Sequence, residues 1–312
     1  MSLLKLLIIG HGSQAKAWST NLQKSNASVT IGLRSGSPSI AKAKESGLPV
    51  IELDKVKDIS DFDAIILLTP DDSHLKVLEL LPNKHREAQR IIYAHGYSLE
   101  KDYLHHRFPN FSHLLLAPKA IASEVILLHQ QNKPIPAAFS LEHAINPASD
   151  LEVIQRIANS VGMTGRLIQT TFKEEMSCDL FSEQSILCSV LPRVIKLSYD
   201  TLVQNGVSQE LAFLECCLES RYILNTLLKV GFPKFFDIIS PNALIGANKA
   251  TNKLFDEKFE QKFKDLFTDI ESGKFYQEIE SADIDTLRKK MVSLYSEGDI
   301  EVTRNTLQEY LN

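Results

Sequence analysis

No stretch of this sequence reaches the ~18 uncharged apolar residues that a membrane-spanning helix needs, so no crossing of a bilayer is expected. The apolar start MSLLKLLIIG is too short for a signal-peptide core plus cleavage site, and it runs straight into a glycine turn. Cysteine is sparse: Cys178, Cys188, Cys216 and Cys217, with no C-x-x-C spacing. Without a secretory signal, those four read as reduced thiols rather than a disulfide framework. The nine histidines lack metal-finger spacing. Basic excess is missing too. A formal net charge of -5 and a pI of about 6.0 leave no electrostatic footprint for nucleic acid. Neither internal repeats nor low-complexity segments occur. These absences fit a cytoplasmic enzyme acting on a small molecule. The 312 residues suffice for two domains with their own cores.

What is present begins at residue 4. Leu4 to Ile9 (LKLLII) is an apolar run of the length of one buried parallel strand. It feeds Gly10-His11-Gly12-Ser13-Gln14-Ala15, and a helical stretch follows to about Ser25. This is G-x-G-x-x-A in the strand–turn–helix setting of a dinucleotide fingerprint. Gly10 permits the tight turn, Gly12 lets the backbone approach a pyrophosphate at the helix N-terminus, and Ala15 allows close helix–strand packing. Gly10, Gly12, Ser13 and Gln14 are therefore cofactor-binding candidates. A second strand, roughly Ser28 to Leu33, ends in Arg34-Ser35-Gly36-Ser37-Pro38-Ser39. An NAD site usually places an acid here for the ribose 2′-OH. This loop has a cation and hydroxyls instead, which suits a 2′-phosphate, so Arg34, Ser37 and Ser39 indicate NADP. The same serines could simply cap the next helix, and both readings can hold at once.

Further strand-like runs, Ala64–Leu68, Arg90–Ala94, Leu114–Ala117 and Ala137–Leu141, alternate with helical stretches such as Ser73–Leu81 and Asp150–Val161. Alternation of this kind predicts an α/β, doubly wound, Rossmann-type parallel sheet. Ligands bind beyond the carboxyl ends of such strands. His95-Gly96 and Lys119 fall at two of those ends, although a lone histidine there is often a turn residue and a lone lysine a surface cation. Asp71 and Asp72 fall at a third end, where helix N-capping is the plainer role.

Beyond about Thr170 strand signals fade, and helical periodicity dominates over Glu183–Val203, Gln209–Val230 and Phe255–Ile270. We place the boundary near Phe172: residues 1–172 form the cofactor domain, and 173–312 an all-α domain. Two helical segments there carry acids four residues apart, Asp179 with Glu183 and Glu215 with Glu219. Each pair shares a helix face, and like charges at that spacing mildly destabilise a helix. The neighbours are apolar, so burying these acids is costly unless a cation neutralises them. Exposed acids on amphipathic helices would be the plain explanation of one pair. Two pairs, behind a cofactor domain, point to an oxygen-rich divalent metal site. Several of these helices are apolar over more than one face, which predicts burial against a partner. The segment after Glu280 reads as charged helix without chemistry.

With those residues in hand, the chain resembles ketol-acid reductoisomerase (acetohydroxyacid isomeroreductase) of the short form. The likeness runs from Leu4 to about Phe275. It rests on GHGSQAKA (10–17), NLQKS (21–25), GLRSGSPS (32–39), AHGY (94–97), LAPK (116–119), TTFKEEMSCDLFSEQ (170–184), AFLECCLES (212–220), ISPNALIG (239–246) and DIESGKF (269–275). The resemblance implies NADP(H), two Mg²⁺ ions, a knotted helical domain and a homodimer with shared sites. It implies alkyl migration of a 2-acetohydroxy acid, then hydride reduction to a 2,3-dihydroxy acid, in valine and isoleucine synthesis. By motif, Asp179 bridges both metals, Glu183 completes one, and Glu215 and Glu219 serve the other from the second subunit. Ser240 contacts the substrate carboxylate. His95 and Lys119 are the polar residues at the nicotinamide end, with Lys119 orienting Glu183.

The sequence also departs from the family pattern. Lys119 is followed by Ala120-Ile121-Ala122 rather than Gly-Pro-Gly. Cys188-Ser189-Val190 replaces Cys-Gly-Gly, and Ser240 continues as Pro241-Asn242-Ala243-Leu244-Ile245-Gly246 instead of Thr-Ala-Glu-Tyr-Gly. No metal ligand is lost. These changes alter backbone freedom around the pocket. They leave two alternatives beside the reductoisomerase: a paralogue that reduces a different 2-keto acid with NADPH, and a non-catalytic NADP-binding homodimer.

Overall fold

Side-chain alternation along the first strand sets the architecture. In a computed structural model that describes residues 3–296 and 298–311, Leu4, Leu6 and Ile8 pack into one apolar cluster, while Leu7 and Ile9 pack into another on the opposite face. The same division holds along the neighbouring strands, with Ala64 and Ile66 against Ile65 and Leu67, and Leu114 and Leu116 against Leu115 and Ala117. A strand apolar on both sides must be covered on both, which is the doubly wound arrangement. The strands are β1 (Leu4–Ile9), β2 (Ala27–Leu33), β3 (Val50–Glu52), β4 (Ala64–Leu67), β5 (Gln89–Tyr93), β6 (Phe111–Pro118), β7 (Ala137–His143) and β8 (Ile168–Gln169). They form one sheet in the order β3-β2-β1-β4-β5-β6-β7-β8. The first six strands in that order are the dinucleotide-binding arrangement, with a crevice where the chain switches direction between β1 and β4.

Two features depart from the expected sheet. The three-residue β3 and two-residue β8 carry too little pattern to be read from sequence. And the sheet is not wholly parallel, since β7 runs antiparallel to β6, with Pro118 opposite Ala137. The connection between them therefore starts and ends at the same end of the sheet. Its helix, Ala122–Gln130, packs on the helix Ser13–Leu22 instead of carrying the chain back across the sheet.

The chain divides into two compact units, Met1–Met176 and Ser177–Asn312. In the second, every regular element is helical among the described residues. Two of the helical stretches expected as α-helix contain wider π-turns, Glu183–Leu187 and Leu214–Leu218. In the first, the Cys188 amide donates to the Glu183 carbonyl five residues back. Phe255–Ile270 is realised as Glu257–Glu271, started by Asp256, whose carboxylate accepts from the Phe259 amide at 2.8 Å. Buried apolar residues here are few. Tyr199, Ala212 and Phe213 form a small core. The tail, expected as charged helix without chemistry, is helical and completes it. Ile300, Leu307 and Leu311 pack there, and buried Thr303 shares a 3.1 Å hydrogen bond with the Tyr199 hydroxyl. Among the described residues no helix is long and apolar enough to cross a membrane, and all four cysteines are unpaired.

Candidate active site

The crevice beside β1 and β4 holds a cavity of about 490 Å³. Gly10, His11 and Gly12 line it from the first turn, and Arg34, Ser37 and Ser39 from the loop after β2. Gly10 has φ +117°, and a Cβ there would stand 2.5 Å from the Leu68 carbonyl oxygen, so the turn under the cavity needs glycine. The loop is shaped by a turn in which the Ser37 amide donates to the Arg34 carbonyl at 3.1 Å. Ser35 pins it from behind. Its amide and hydroxyl donate to Asp54 at 3.0 and 2.7 Å, and Glu52 lies within hydrogen-bond reach of the same hydroxyl at 2.5 Å. The Ser35 contacts hold both acids below the usual carboxylate range. Those carboxylates are engaged with Ser35 and do not line the cavity.

Of the expected cofactor residues, Ser13, Gln14 and His95 do not line it. The Gln14 amide reaches instead to the Ala120 carbonyl at 3.2 Å. Ser37 acts as its own small cap, accepting from the Ser39 amide at 3.3 Å. Asp71 and Asp72 do not N-cap the following helix, because neither side chain takes a capping bond there. Asp72 lines the cavity.

Whether a nucleotide fits can be judged from buried polar atoms. Both ring nitrogens of His11 and the Thr69 hydroxyl are buried without a hydrogen-bond partner, and both residues line the cavity. Unpaired buried polar atoms are costly, and a polar ligand would satisfy them. Burial, followed by nearby Lys16, lowers the His11 pKa and favours its neutral form. Leu53, Val77 and Leu80 add an apolar wall. Backbone amides at a helix start, hydroxyls, cations and an apolar wall suit a phosphorylated dinucleotide.

A second cluster lies at the carboxyl ends of β5 and β6, where His95 and Lys119 were expected. Between them sits a residue the sequence reading passed over. Glu175, 1% exposed, accepts from the Lys119 ammonium at 2.6 Å and from the Gly96 amide at 2.7 Å, and meets His95 Nδ1 at 3.1 Å. Burial alone would raise its pKa. The hydrogen bond and charge of His95, then those of Lys119, outweigh burial and hold Glu175 below the usual range. Gly96 is required here because a Cβ would stand 2.3 Å from the Phe172 carbonyl, where the helix carrying Glu175 begins. The His95 ring stacks on Tyr97 with planes 9° apart. The Lys119 backbone is tied to Pro136 at 2.8 Å. One signal could have found Glu175: it precedes Asp179 by the same four residues that separate Asp179 from Glu183.

The helical unit carries the two acid pairs. Asp179 is half-buried, while Glu183, Glu215 and Glu219 are exposed. Glu183 opens one π-turn, Glu215 lies in the other, and Glu219 follows directly. Such widened turns recur at functional sites. Among the described residues, no three of these four acids bring carboxylate oxygens within 4.8 Å of one another. Their donor chemistry is wholly carboxylate, which suits a hard dication such as Mg²⁺. Ser240 is exposed and starts the helix Pro241–Leu254, accepting from the Ala243 amide at 3.2 Å.

The comparisons with known proteins agree with this geometry. The family description "Acetohydroxy acid isomeroreductase, NADPH-binding domain" matches residues 1–166, and "Ketol-acid reductoisomerase, C-terminal domain" matches residues 172–311. A ketol-acid reductoisomerase (NADP(+)) of Clostridioides difficile is 32% identical over 87% of this chain and 82% of its own length. One of Methanosphaera stadtmanae is 30% identical over 97% and 92%. Among solved structures, an NADH-preferring ketol-acid reductoisomerase from an uncultured archaeon superposes with a TM-score of 0.80 at 23% identity, covering 98% of this chain and 94% of its own. A 1-pyrroline-5-carboxylate reductase from Streptococcus pyogenes shares the fold more loosely, with a TM-score of 0.59 at 19% identity over 86% of this chain and 98% of its own. With the cofactor crevice, the Glu175 cluster and both halves matched, the chain belongs to the ketol-acid reductoisomerase family of oxidoreductase–isomerase enzymes.

Proposed function

We propose that the chain is a Mg²⁺- and NADPH-dependent ketol-acid reductoisomerase of branched-chain amino-acid synthesis, working in the cytoplasm. It converts a 2-acetohydroxy acid to a 2,3-dihydroxy acid. The observation that carries this reading is the buried Glu175 carboxylate tied to His95 and Lys119, in a chain that keeps Asp179, Glu183, Glu215 and Glu219. When bound, NADPH supplies the hydride and two Mg²⁺ ions polarise adjacent substrate oxygens.

The chain's own residues do the rest. Glu175, kept ionised, fixes the His95 ring and the Lys119 ammonium, a preorganised cation for developing negative charge. Asp179 would hold both metals and Glu183 one. The partner subunit's Glu215 and the partner subunit's Glu219 would hold the other. Lys119 would also offset the acids' charge. The Ser240 hydroxyl accepts a backbone amide through oxygen, so its proton can go to the substrate carboxylate. Within this proposal residues 1–172 bind the cofactor, and residues 173–312 bind metal and substrate, carry the knotted topology and dimerise. Exposed apolar side chains such as Leu228, Phe232 and Ile245 support a homodimer.

The deciding experiment offers purified protein NADPH, Mg²⁺ and a panel of acetohydroxy acids and plain 2-keto acids. Turnover of 2-acetolactate is the expected result. A second reading, reduction of a different keto acid, is favoured by the altered loop after Lys119, where Ile121 is 70% exposed. Reduction of plain keto acids alone would support that reading. Tight NADPH binding without any turnover would leave a non-catalytic binding protein.

A further inference from the structure

The helix His74–Leu80 presents a stripe to the cofactor cavity. Lys76, Val77 and Leu80 all line it, and Ser73 does so from the residue just before the helix, so the four follow the spacing i, i+3, i+4, i+7 along one face. Val77 and Leu80 belong to the apolar wall. The Lys76 ammonium makes no ion pair or hydrogen bond among the described residues, although Asp72 stands one turn earlier at the spacing that usually pairs. The Arg34 guanidinium, across the same cavity, is likewise without an ion pair or hydrogen bond among the described residues. Two unpaired cations on two different elements thus line a cavity that also presents the Ser37 and Ser39 residues, while Glu52 and Asp54 are held behind the loop by Ser35.

We propose that Lys76 is a second cation for the 2′-phosphate of the cofactor, closing on it from the helix side while Arg34 closes from the loop side. This rests on the NADPH reading above and adds to it a residue outside the β2 loop. Physically, a phosphate dianion with one exposed arginine keeps oxygens facing water. An ammonium on a flexible stem can reach the remaining oxygens as a point charge. Lys76 is therefore a determinant of NADPH over NADH, not of dinucleotide binding in general.

The test is direct binding to the full chain, without turnover. NADPH, NADH, 2′,5′-ADP and 5′-ADP are titrated by calorimetry into wild type, Lys76→Gln and Lys76→Arg. Gln keeps the stem and removes the charge, and circular dichroism confirms that the exposed substitution leaves the fold intact. The expected result is about tenfold weaker NADPH and 2′,5′-ADP with Lys76→Gln, little change for NADH and 5′-ADP, and recovery with Lys76→Arg. The salt dependence of NADPH binding should also become shallower in Lys76→Gln. Equal weakening of phosphorylated and unphosphorylated ligands would place Lys76 on the adenine or pyrophosphate and overturn the proposal, as would no change at all. A wild type that binds 2′,5′-ADP no better than 5′-ADP would instead remove the NADPH reading itself, and the role of Lys76 with it.

Discussion

Ile66 and Leu228 are both aliphatic residues in regular structure, yet Ile66 in β4 is wholly buried and Leu228 in the helix Glu219–Val230 is 70% exposed. The contrast runs through the two units. The sheet unit covers both faces of its strands with its own helices. The helical unit closes only a small core around Tyr199 and Phe213, and leaves Leu187, Val194, Leu197, Phe232, Ile245 and Leu254 in solvent. A sheet that is apolar on both sides has to be finished within one chain. Amphipathic helices can postpone burial until another chain arrives. The site follows the same division. His95, Glu175 and Lys119 are already locked together within the first unit, whereas no three of the four acids of the second bring carboxylate oxygens within 4.8 Å of one another among the described residues.

The largest expected break in that comparison comes from chemistry. Asp179→Asn should lower isomerisation by at least about 10³-fold, more than any single Glu→Gln change at 183, 215 or 219, because a bridging ligand serves two ions. NADPH affinity of the sheet unit should be unchanged. Steady-state kinetics with a calorimetric NADPH titration would show this, and activity without any Mg²⁺ dependence would mark the acids as structural.

Packing comes next. Ile66→Ala should cost about 2–5 kcal/mol of unfolding free energy, measured by urea denaturation. Leu228→Ala should cost under about 0.5 kcal/mol of single-chain stability but weaken self-association, read by sedentation-type measurements such as analytical ultracentrifugation. Equal losses at both positions would erase the distinction between the units.

A third difference concerns pH. His113 in β6 is buried in the sheet unit, accepting from the Tyr93 hydroxyl through Nδ1 at 2.9 Å and donating from Nε2 to the Phe108 carbonyl at 3.0 Å. Burial lowers its pKa from 6.5 to about 4. Between those values the unfolded chain binds the extra proton, so stability is complete above pH 6.5 and is lost as pH falls toward 4. Linkage makes the loss roughly 3 kcal/mol. His113→Gln should flatten that slope in pH-dependent denaturation, whatever its effect at neutral pH.

Smaller still is the cofactor switch. Ser37→Asp with Ser39→Asp should turn the preference from NADPH to NADH by about tenfold or more, since an acid repels the 2′-phosphate and accepts from a 2′-OH. Equal wild-type affinities for the two cofactors would sink the reading of the Arg34–Ser39 loop. The smallest effect, a factor of about two, is the most diagnostic of shared sites. A verified heterodimer of Asp179→Asn and Glu215→Gln chains should regain about half of wild-type activity, because both lesions can fall in one site and leave the other whole. No recovery, or a fully active monomer, would rule out ligands supplied in trans.

Local chemistry made much of this legible from the sequence alone. An apolar run ending in Gly10-x-Gly12 constrains strand, turn and helix within a few residues, and the acids at 179/183 and 215/219 stand at the i, i+4 spacing that an α-helix would put on one face. The absence of an acid after β2 is equally local. Tertiary structure decided what depends on distant partners. Glu175 meets His95 across 80 residues and Lys119 across 56, and no local pattern encodes such a meeting. The reversal of β7 goes with the packing of the helix Ala122–Gln130 on the helix Ser13–Leu22, far away in sequence. The short strands β3 and β8 exist only because longer neighbours offer them hydrogen bonds. Periodicity fixes which residues share a face, but only the assembled fold fixes what that face meets.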